Sequence, residues 1–212
     1  INEPGSTLTD HQLNQVKNAI SSQSLKGAWV ALAGRLNPGL ASDTYKDLAK
    51  LARDAGAHVA LDTSGVELRA ALTAGVVDLI KPNQFELAEL VGRSLPTIHD
   101  VISAAREIIS GGVATVLCSL GSDGAILITA DSAIHCEPAR KVSGTPVGAG
   151  DILLGTFLAF GADASALEKA VAWSAASVPL PGTAIPTPEE ASAMPVKVNS
   201  TLDQTRTLVE TH

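Results

Sequence analysis

The sequence has few cysteines, few aromatic residues and no long apolar run. Its two cysteines, Cys118 and Cys136, lie outside any C-x-x-C or Cys/His cluster, which argues against a zinc site or a disulfide framework. Aromatic residues make up only 3% of the chain, which suits close packing of helices on a sheet. The longest apolar runs are well short of the roughly 20 residues that a bilayer span needs. We therefore expect no membrane partner.

Basic residues are scarce as well. The 15 Lys and Arg residues face 22 Asp and Glu residues, which gives a formal net charge of −7. No Lys/Arg cluster supplies the positive field that a polyanion needs, so we expect no nucleic-acid partner. No basic-then-apolar leader opens the chain, and we therefore expect it to be cytoplasmic.

The composition that remains favours one folded domain over residues 1–212, since 45% of the residues are hydrophobic and 17% are charged. Apolar segments alternate with amphipathic ones, which favours an α/β fold with a mainly parallel sheet covered on both faces. The apolar run 27–34 is predicted as a strand buried on both of its faces. Further strands are predicted at 57–63, 76–82 and 113–121, and helices at 9–20, 41–56, 64–75, 83–92 and 98–110.

The alternation changes after residue 121. Two short strands, 124–129 and 133–139, form a predicted hairpin, and two helices follow near 149–161 and 163–178. The Pro-rich stretch 178–190 is predicted to hold no regular structure. A closing helix is predicted over 200–212.

The stretch "GTPVGAGD", residues 144–151, places an acidic side chain at the start of an apolar helix. Gly148 and Gly150 free the backbone to turn, and a helix from about Ala149 would present unpaired N–H groups and its positive end to an anion. Asp151 either caps this helix, which stabilises it by roughly 0.5–1 kcal/mol, or serves the bound anion. The pattern alone leaves both open.

Four segments carry a family resemblance: "VGAGD", "KPNQFELAELVG", "SLGSDGAILI" and "LPGTAIPTPEE". Together they resemble the ribokinase-like (PfkB) carbohydrate kinases, which implies a three-layer α/β/α fold. Within that family, "INEPG", "LAGRLNPG" and "VALDTSGVELRAAL" are most similar to 1-phosphofructokinases, with tagatose-6-phosphate kinases close behind. The implied reaction is ATP-dependent phosphorylation of a phosphosugar, with fructose 1-phosphate as the first expectation and fructose 1,6-bisphosphate as its product.

The resemblance implies catalytic roles for the glycine-rich loop. Asp151 would take the proton from the sugar hydroxyl as that hydroxyl attacks the γ-phosphate of ATP. Gly148, Ala149 and Gly150 would offer N–H donors to the charge on the transferred phosphoryl group.

The resemblance also implies an ATP site. For two of its members there are simpler interpretations: Lys81 can be a solvated surface lysine, and "GSDG" can be a plain turn between strands. The implied nucleotide-binding residues are Lys81, Asn83, Ser119, Gly121, Gly124, Ser143, Thr145, Val147 and Ser177.

The implied Mg²⁺ site consists of Asn83 and Glu86, which lie three residues apart on one face of the predicted helix. The pair would hold the ion largely through water. The spacing fits a capping box equally well, with Asn83 as the N-cap, and both interpretations stay open.

The implied sugar site contains Gly34, Arg35 and Asp151. This chain departs from the phosphofructokinase pattern here, because Ala33 and Arg35 stand where serines are usual. Arg35 is either a bidentate replacement for the serines on a sugar phosphate or a surface arginine. The identity of the sugar is left open.

In the family, roughly a third of the chain precedes "INEPG" and carries the first strands, an early sugar-binding Asp and most of a lid. We therefore expect the lid and first strands to be missing and one sheet edge to be unpaired. The family commonly dimerises through the lid, so a homodimer would depend on that part. Two hypotheses follow: a nucleotide-binding portion of an active phosphosugar kinase, or a catalytically silent module.

Overall fold

The computed structural model describes residues 5–199 and 201–209. Within this part of the chain, eight α-helices and seven β-strands are found. The helices are α1 Asp10–Ser21, α2 Thr44–Asp54, α3 Gly65–Thr73, α4 Gln84–Val91, α5 Ile98–Ser110, α6 Ala149–Ala159, α7 Ala164–Ser177 and α8 Pro188–Ser192. The strands are β1 Trp29–Ala33, β2 His58–Asp62, β3 Leu79–Ile80, β4 Thr115–Ser119, β5 Ala125–Ile128, β6 Ala133–Pro138 and β7 Val196–Asn199.

All seven strands belong to one sheet, in the order β1-β2-β3-β4-β5-β6-β7. The first four run parallel to one another, while β5, β6 and β7 pair antiparallel to their neighbours. The predicted mainly parallel sheet and the predicted β5–β6 hairpin are confirmed.

Helices cover both faces of the sheet, so the predicted three-layer α/β/α arrangement is confirmed. Alternate side chains of each strand point to opposite faces. In β2, Val59 and Leu61 pack into the core formed with α2, α3, α4 and α5, whereas Ala60 packs into the core formed with α6 and α7. Phe157 of α6 is fully buried in the second core.

Within the described residues β1 lies at the edge of the sheet and its Ala31 and Ala33 are exposed, so the predicted burial of 27–34 on both faces is not found there. A continuous apolar run does not distinguish an edge strand from a central one when the outward side chains are small, because exposing a methyl group costs little. Within the described residues nothing pairs with the outer edge of β1.

Two expectations for the C-terminal part also fail, and one strand there was missed. The stretch 178–190 does contain regular structure, since α8 begins at Pro188 with Thr187 and Glu190 forming a capping box. Strand β7 was not predicted. No helix closes the chain within 201–209, where Thr207 instead forms an isolated bridge with Thr97. The remainder of the predicted closing helix, residues 200 and 210–212, and residues 1–4 of "INEPG" lie outside the described residues.

Candidate active site

The site is built at the carboxyl ends of the parallel strands, where ligands bind in open α/β sheets. The strand register aligns these ends, with Ala33 opposite Asp62, Leu61 opposite Ile80, and Ile80 opposite Val116. The loops after β1, β2 and β3 therefore meet at one edge of the sheet, and the amino end of α6 approaches the same place.

The glycine-rich loop ends in a left-handed residue. Gly148 is the N-cap of α6 with φ of 81°, a conformation that favours glycine. Asp151 lies in the first turn of α6 and is exposed. The N-cap residue is Gly148, and no hydrogen bond from a helix amide to the Asp151 carboxylate is found among the described residues. A carboxylate in the first turn still stabilises the positive end of the helix, so both interpretations of Asp151 stay open.

The amide groups of this turn are only partly available. The Ala149 N–H donates to the Pro146 carbonyl at 3.1 Å, and the Ile152 N–H donates to the Gly148 carbonyl at 3.0 Å. No acceptor among the described residues takes the N–H of Gly150 or Asp151. An anion at this helix end would therefore meet Gly150 and Asp151, whereas Ala149 is already committed.

Lys81 is buried and forms part of the floor of this loop. It is 5% exposed, and its Nζ lies 3.1 Å from the Asp62 carboxylate, so the surface-lysine interpretation is wrong. A Cβ atom on Gly150 would lie 3.2 Å from the same Nζ. The ammonium group thus sits directly beneath the backbone that opens α6.

Asp62 is a residue that sequence reasoning missed. It ends β2, and burial raises the pKa of its carboxyl group although Lys81 opposes the shift. The charges of Glu86 and Asp151 add to the increase, so three carboxylates and one ammonium form a single electrostatic cluster. An acidic residue directly after the apolar run "HVAL" was the available signal.

Asn83 and Glu86 form the capping box that the spacing allowed. The Asn83 side chain accepts from the Glu86 N–H, and Glu86 Oε2 accepts from the Asn83 N–H, both at 2.8 Å. These bonds fix the direction of the Glu86 carboxylate. Mg²⁺ is usually held by one or two carboxylates, substrate phosphates and water, so a carboxylate with a fixed direction is suited to contribute to such a site.

The described residues contain no group of three or more His, Cys, Asp or Glu side chains able to hold a metal by themselves. Any Mg²⁺ held here would therefore depend on the substrate phosphates.

Both cysteines are buried, and burial raises the pKa of each thiol to about 12. Neither is suited to act as a nucleophile.

The β4 loop lies beside the Asn83 loop. Ser119 and Asn83 form an isolated parallel bridge, and the Ser119 N–H donates to the Pro82 carbonyl at 3.0 Å. Gly121 opens a short 3-10 turn at the surface of this loop. Gly124 ends the turn with φ of 82°, and a Cβ there would lie 2.0 Å from the Cys136 carbonyl oxygen. The close packing of the β6 backbone is therefore sufficient to require glycine at position 124.

The segment before α6 lies against the end of α7. Ser143, Thr145 and Val147 are exposed, and the Thr145 N–H donates to the Val178 carbonyl at 3.0 Å. Ser177 is buried, and its hydroxyl donates to the Ser174 carbonyl at 2.7 Å within its own helix. The structure brings these predicted residues together but uses the Ser177 hydroxyl internally.

Gly34 and Arg35 follow β1 at the rim. The Gly34 N–H donates to the Asp62 carbonyl at 2.9 Å, which ties this loop to the Asp62–Lys81 pair. Arg35 is exposed, and no described residue forms an ion pair or hydrogen bond with its guanidinium. Both interpretations of Arg35 remain open.

Asp151 borders a cleft of about 370 Å³. Its wall combines the α6 residues with apolar groups that the sequence did not single out. The lining residues are Gly148, Asp151, Ile152, Gly155, Thr156, Trp173, Thr183 and Ile185. A second cleft, on α5 around His99 and Arg106, lies away from the glycine-rich loop.

No helix within the described ranges is long and apolar enough to cross a bilayer.

The comparisons with known proteins agree with this geometry. The family model for pfkB family carbohydrate kinases matches residues 6–190. A 1-phosphofructokinase of Rhodobacter capsulatus is 36% identical over 200 residues, covering 92% of this chain and 63% of that protein. An ATP-dependent 6-phosphofructokinase isozyme 2 of Escherichia coli (strain K12) is 34% identical over 175 residues, which cover 82% of this chain and 56% of that protein.

A solved structure is similar as well. Phosphofructokinase-2 from Escherichia coli in complex with substrates and products superimposes with a TM-score of 0.83 at 32% identity, covering 91% of this chain and 64% of that one. The chain thus spans less than two thirds of the length of these relatives. The predicted ribokinase-like fold is confirmed, and the chain belongs to the pfkB family of carbohydrate kinases.

Proposed function

We propose that this chain is the nucleotide-binding portion of an ATP-dependent kinase that phosphorylates a phosphosugar, with fructose 1-phosphate as the preferred acceptor. The observation that carries the proposal is the arrangement at the amino end of α6. There the exposed Asp151 stands next to the unpaired amides of Gly150 and Asp151, above the buried ammonium of Lys81.

The proposed reaction uses these positions as follows. Asp151 accepts the proton of the sugar hydroxyl, and the hydroxyl oxygen forms a bond to the γ-phosphorus of ATP. The bond from that phosphorus to the β,γ-bridging oxygen breaks, and ADP leaves. The helix amides and Lys81 stabilise the negative charge on the transferred group, which is the main demand of phosphoryl transfer. The donor role predicted for Ala149 passes to Gly150 and Asp151, since the Ala149 N–H is used by Pro146.

The nucleotide would lie between two walls. One wall is the loop after β4, with Ser119, Gly121 and Gly124, and the other is the exposed segment with Ser143, Thr145 and Val147. Ser177 belongs to the helix end behind the second wall and supports it. The proximity of Asn83 to Ser119 places the capping box next to the first wall.

Mg²⁺ would be held by Glu86, oriented by Asn83, together with ATP phosphates and water. When bound, the ion supplies charge neutralisation for the phosphates. Within the chain itself, Asp62 keeps the Lys81 ammonium fixed under the phosphate site, because the pair is held at 3.1 Å in a buried position.

The phosphosugar would enter beside Gly34 and Arg35, with Arg35 available as a bidentate partner for its phosphate. The names of the relatives include both 1-phosphofructokinase and 6-phosphofructokinase. Fructose 6-phosphate and tagatose 6-phosphate are therefore the competing substrates to test. Dimerisation through a lid outside this chain, and a cytoplasmic location, stay predictions.

A second candidate is a catalytically silent nucleotide-binding module. It is favoured by the unpaired outer edge of β1 within the described residues. A sugar site that needs a lid would be incomplete in such a module.

The test combines calorimetric titration of ATP and Mg²⁺ with a coupled assay of ADP release on the three phosphosugars. We expect ATP binding and ADP release with fructose 1-phosphate. Asp151→Asn should keep the fold and the ATP Kd within about twofold while lowering turnover by roughly 10²–10⁴-fold, as removal of a general base does. Asp10→Asn, an exposed carboxylate in the first turn of α1, is the matched control and should change neither quantity.

The outcomes separate the candidates. ATP binding without ADP release on any of the three sugars supports the silent module. Turnover of Asp151→Asn close to that of the control variant would contradict the role of Asp151, and absence of ATP binding would contradict both candidates.

A further inference from the structure

A partly buried ion-pair network ties the C-terminal segment to the turn after β4. Arg206 donates through Nη2 to Asp123 Oδ1 at 2.5 Å and through Nη1 to Glu137 Oε2 at 2.7 Å. The second oxygen of Asp123 accepts the Val209 N–H at 2.7 Å. One guanidinium, 83 residues further along the chain than Asp123, therefore joins the turn 121–124 to strand β6.

The turn depends on these contacts for its position. Asp123 is only 6% exposed, and its carbonyl oxygen accepts from His135 Nε2 at 2.6 Å. Both of its carboxylate oxygens are engaged by the C-terminal segment. Removing the partners of a buried carboxylate leaves an uncompensated charge, so the turn would have to move to reach water.

The backbone that presents Arg206 is itself fixed. The Arg206 carbonyl accepts the Ile98 N–H at 3.2 Å, and the Leu208 N–H donates to the Pro96 carbonyl at 2.9 Å. Thr207, between them, bridges to Thr97 at the start of α5. The backbone on both sides of the Arg206 guanidinium is therefore hydrogen-bonded to the start of α5.

The second carboxylate partner of Arg206, Glu137, is also fixed by other contacts. Asn199 donates to Glu137 Oε1 at 3.0 Å, so the second carboxylate is also fixed. The hydrogen bonds from Arg206 and Asn199 lower the pKa of Glu137 against the opposing effect of burial. Arg206 has no contact with the loop around Asp151 among the described residues, and any influence on a ligand must pass through Asp123.

We infer that Arg206 is a positioning residue for the nucleotide: acting through Asp123, it holds the turn 121–124 in the conformation that forms one wall of the ATP site. This inference rests on the proposed function, which assigns Gly121 and Gly124 to that wall. It extends that function to a segment that carries none of the recognised sequence motifs.

The test is the ATP Kd of Arg206→Met, measured calorimetrically with Mg²⁺ at a fixed interval below the Tm of each variant. We expect the Kd to rise about tenfold or more, as for loss of hydrogen bonds between charged groups. In the turnover assay the KM for ATP should rise, while kcat and the phosphosugar KM stay within about twofold. Arg206→Lys should fall between the wild type and Arg206→Met, because a lysine retains charge but lacks the planar fork.

The matched control is Arg93→Met. Arg93 also donates through two guanidinium nitrogens to one carboxylate, that of Glu107, but both side chains are substantially exposed. Its ATP Kd should stay within about twofold of the wild type.

The failures are distinguishable. A wild-type chain that does not bind ATP overturns the proposed function, and this inference with it. A folded Arg206→Met variant with a wild-type ATP Kd overturns the inference alone. Should Arg206→Met not fold, Arg206→Lys decides: an ATP Kd equal to that of the wild type overturns the inference, and a several-fold increase supports it.

Discussion

The buried pair of Lys81 and Asp62 gives a quantitative test of the site. Their side chains are 6% and 16% exposed, and their charged atoms lie 3.1 Å apart. Removing one partner of a buried pair costs about 3–5 kcal/mol, and the partial exposure of Asp62 places the expected loss for Lys81→Met at the lower end, about 3 kcal/mol. For a chain of this size the Tm should fall by about 6–12 °C.

The exposed pair of Lys50 and Asp54 is the matched control. It has nearly the same separation, 2.9 Å, but its side chains are 66% and 61% exposed. An exposed helical pair of this kind contributes about 0.3–0.5 kcal/mol, so Lys50→Met should change the Tm only slightly. The comparison isolates burial, because the chemistry and spacing of the two pairs are alike.

Thermal and urea unfolding followed by circular dichroism measure these losses. The double variant Asp62→Asn/Lys81→Met should lose about 1–3 kcal/mol less than the two single variants together, since residues in direct contact are coupled. In Lys81→Met the loss should shrink as the pH falls through the raised pKa of Asp62. Burial already raises the pKa of Asp62, and a group with a raised folded-state pKa stabilises the fold as the pH falls below that value.

Losses below about 0.5 kcal/mol in the single variants, or strict additivity in the double variant, would refute the placement of Lys81 in a buried ion pair.

Two further predictions concern single side chains. Gly155→Ala should raise the free energy of unfolding by about 0.5–1 kcal/mol, because nothing lies within 4 Å of the added Cβ. Gly150→Ala should lower turnover, because its Cβ would lie 3.2 Å from the Lys81 ammonium. Equal turnover in the two variants would contradict this prediction. Burial lowers the pKa of His135 despite its bond to the Asp123 carbonyl, so stability should fall as the pH drops below about 6.5. His135→Gln should weaken that dependence in pH-resolved unfolding, and an unchanged profile would contradict the assignment.

Local patterns predicted much of the fold. These patterns located α2, α5 and the hairpin of β5 and β6, and the residue type at Asn83 marked an N-cap that the structure confirms. These features depend on neighbours within a few residues. The end of the chain was mispredicted because its periodic apolar residues compete with side-chain contacts to the backbone, such as Asp203 Oδ1 accepting the Thr205 N–H at 3.1 Å.

The site could be predicted only where one segment contains it. The loop from Gly148 to Asp151 is contiguous, and its motif was recognised. Asp62 was missed because its importance depends on Lys81, which the strand register and not the local sequence brings alongside. Arg206 was missed for the same reason, since its partner Asp123 lies 83 residues away.

The glycines of the motifs show why a pattern alone does not assign a role. At Gly124 a side chain would collide with the Cys136 carbonyl of β6 at 2.0 Å, so the fold requires glycine whether or not a nucleotide binds. At Gly150 a methyl group would instead approach only the Lys81 ammonium. The fold can tolerate that contact with a small shift, whereas a phosphate held by the Gly150 amide and by Lys81 requires the space. The two positions look alike in the sequence, but only Gly150 is a glycine that the ligand itself would select.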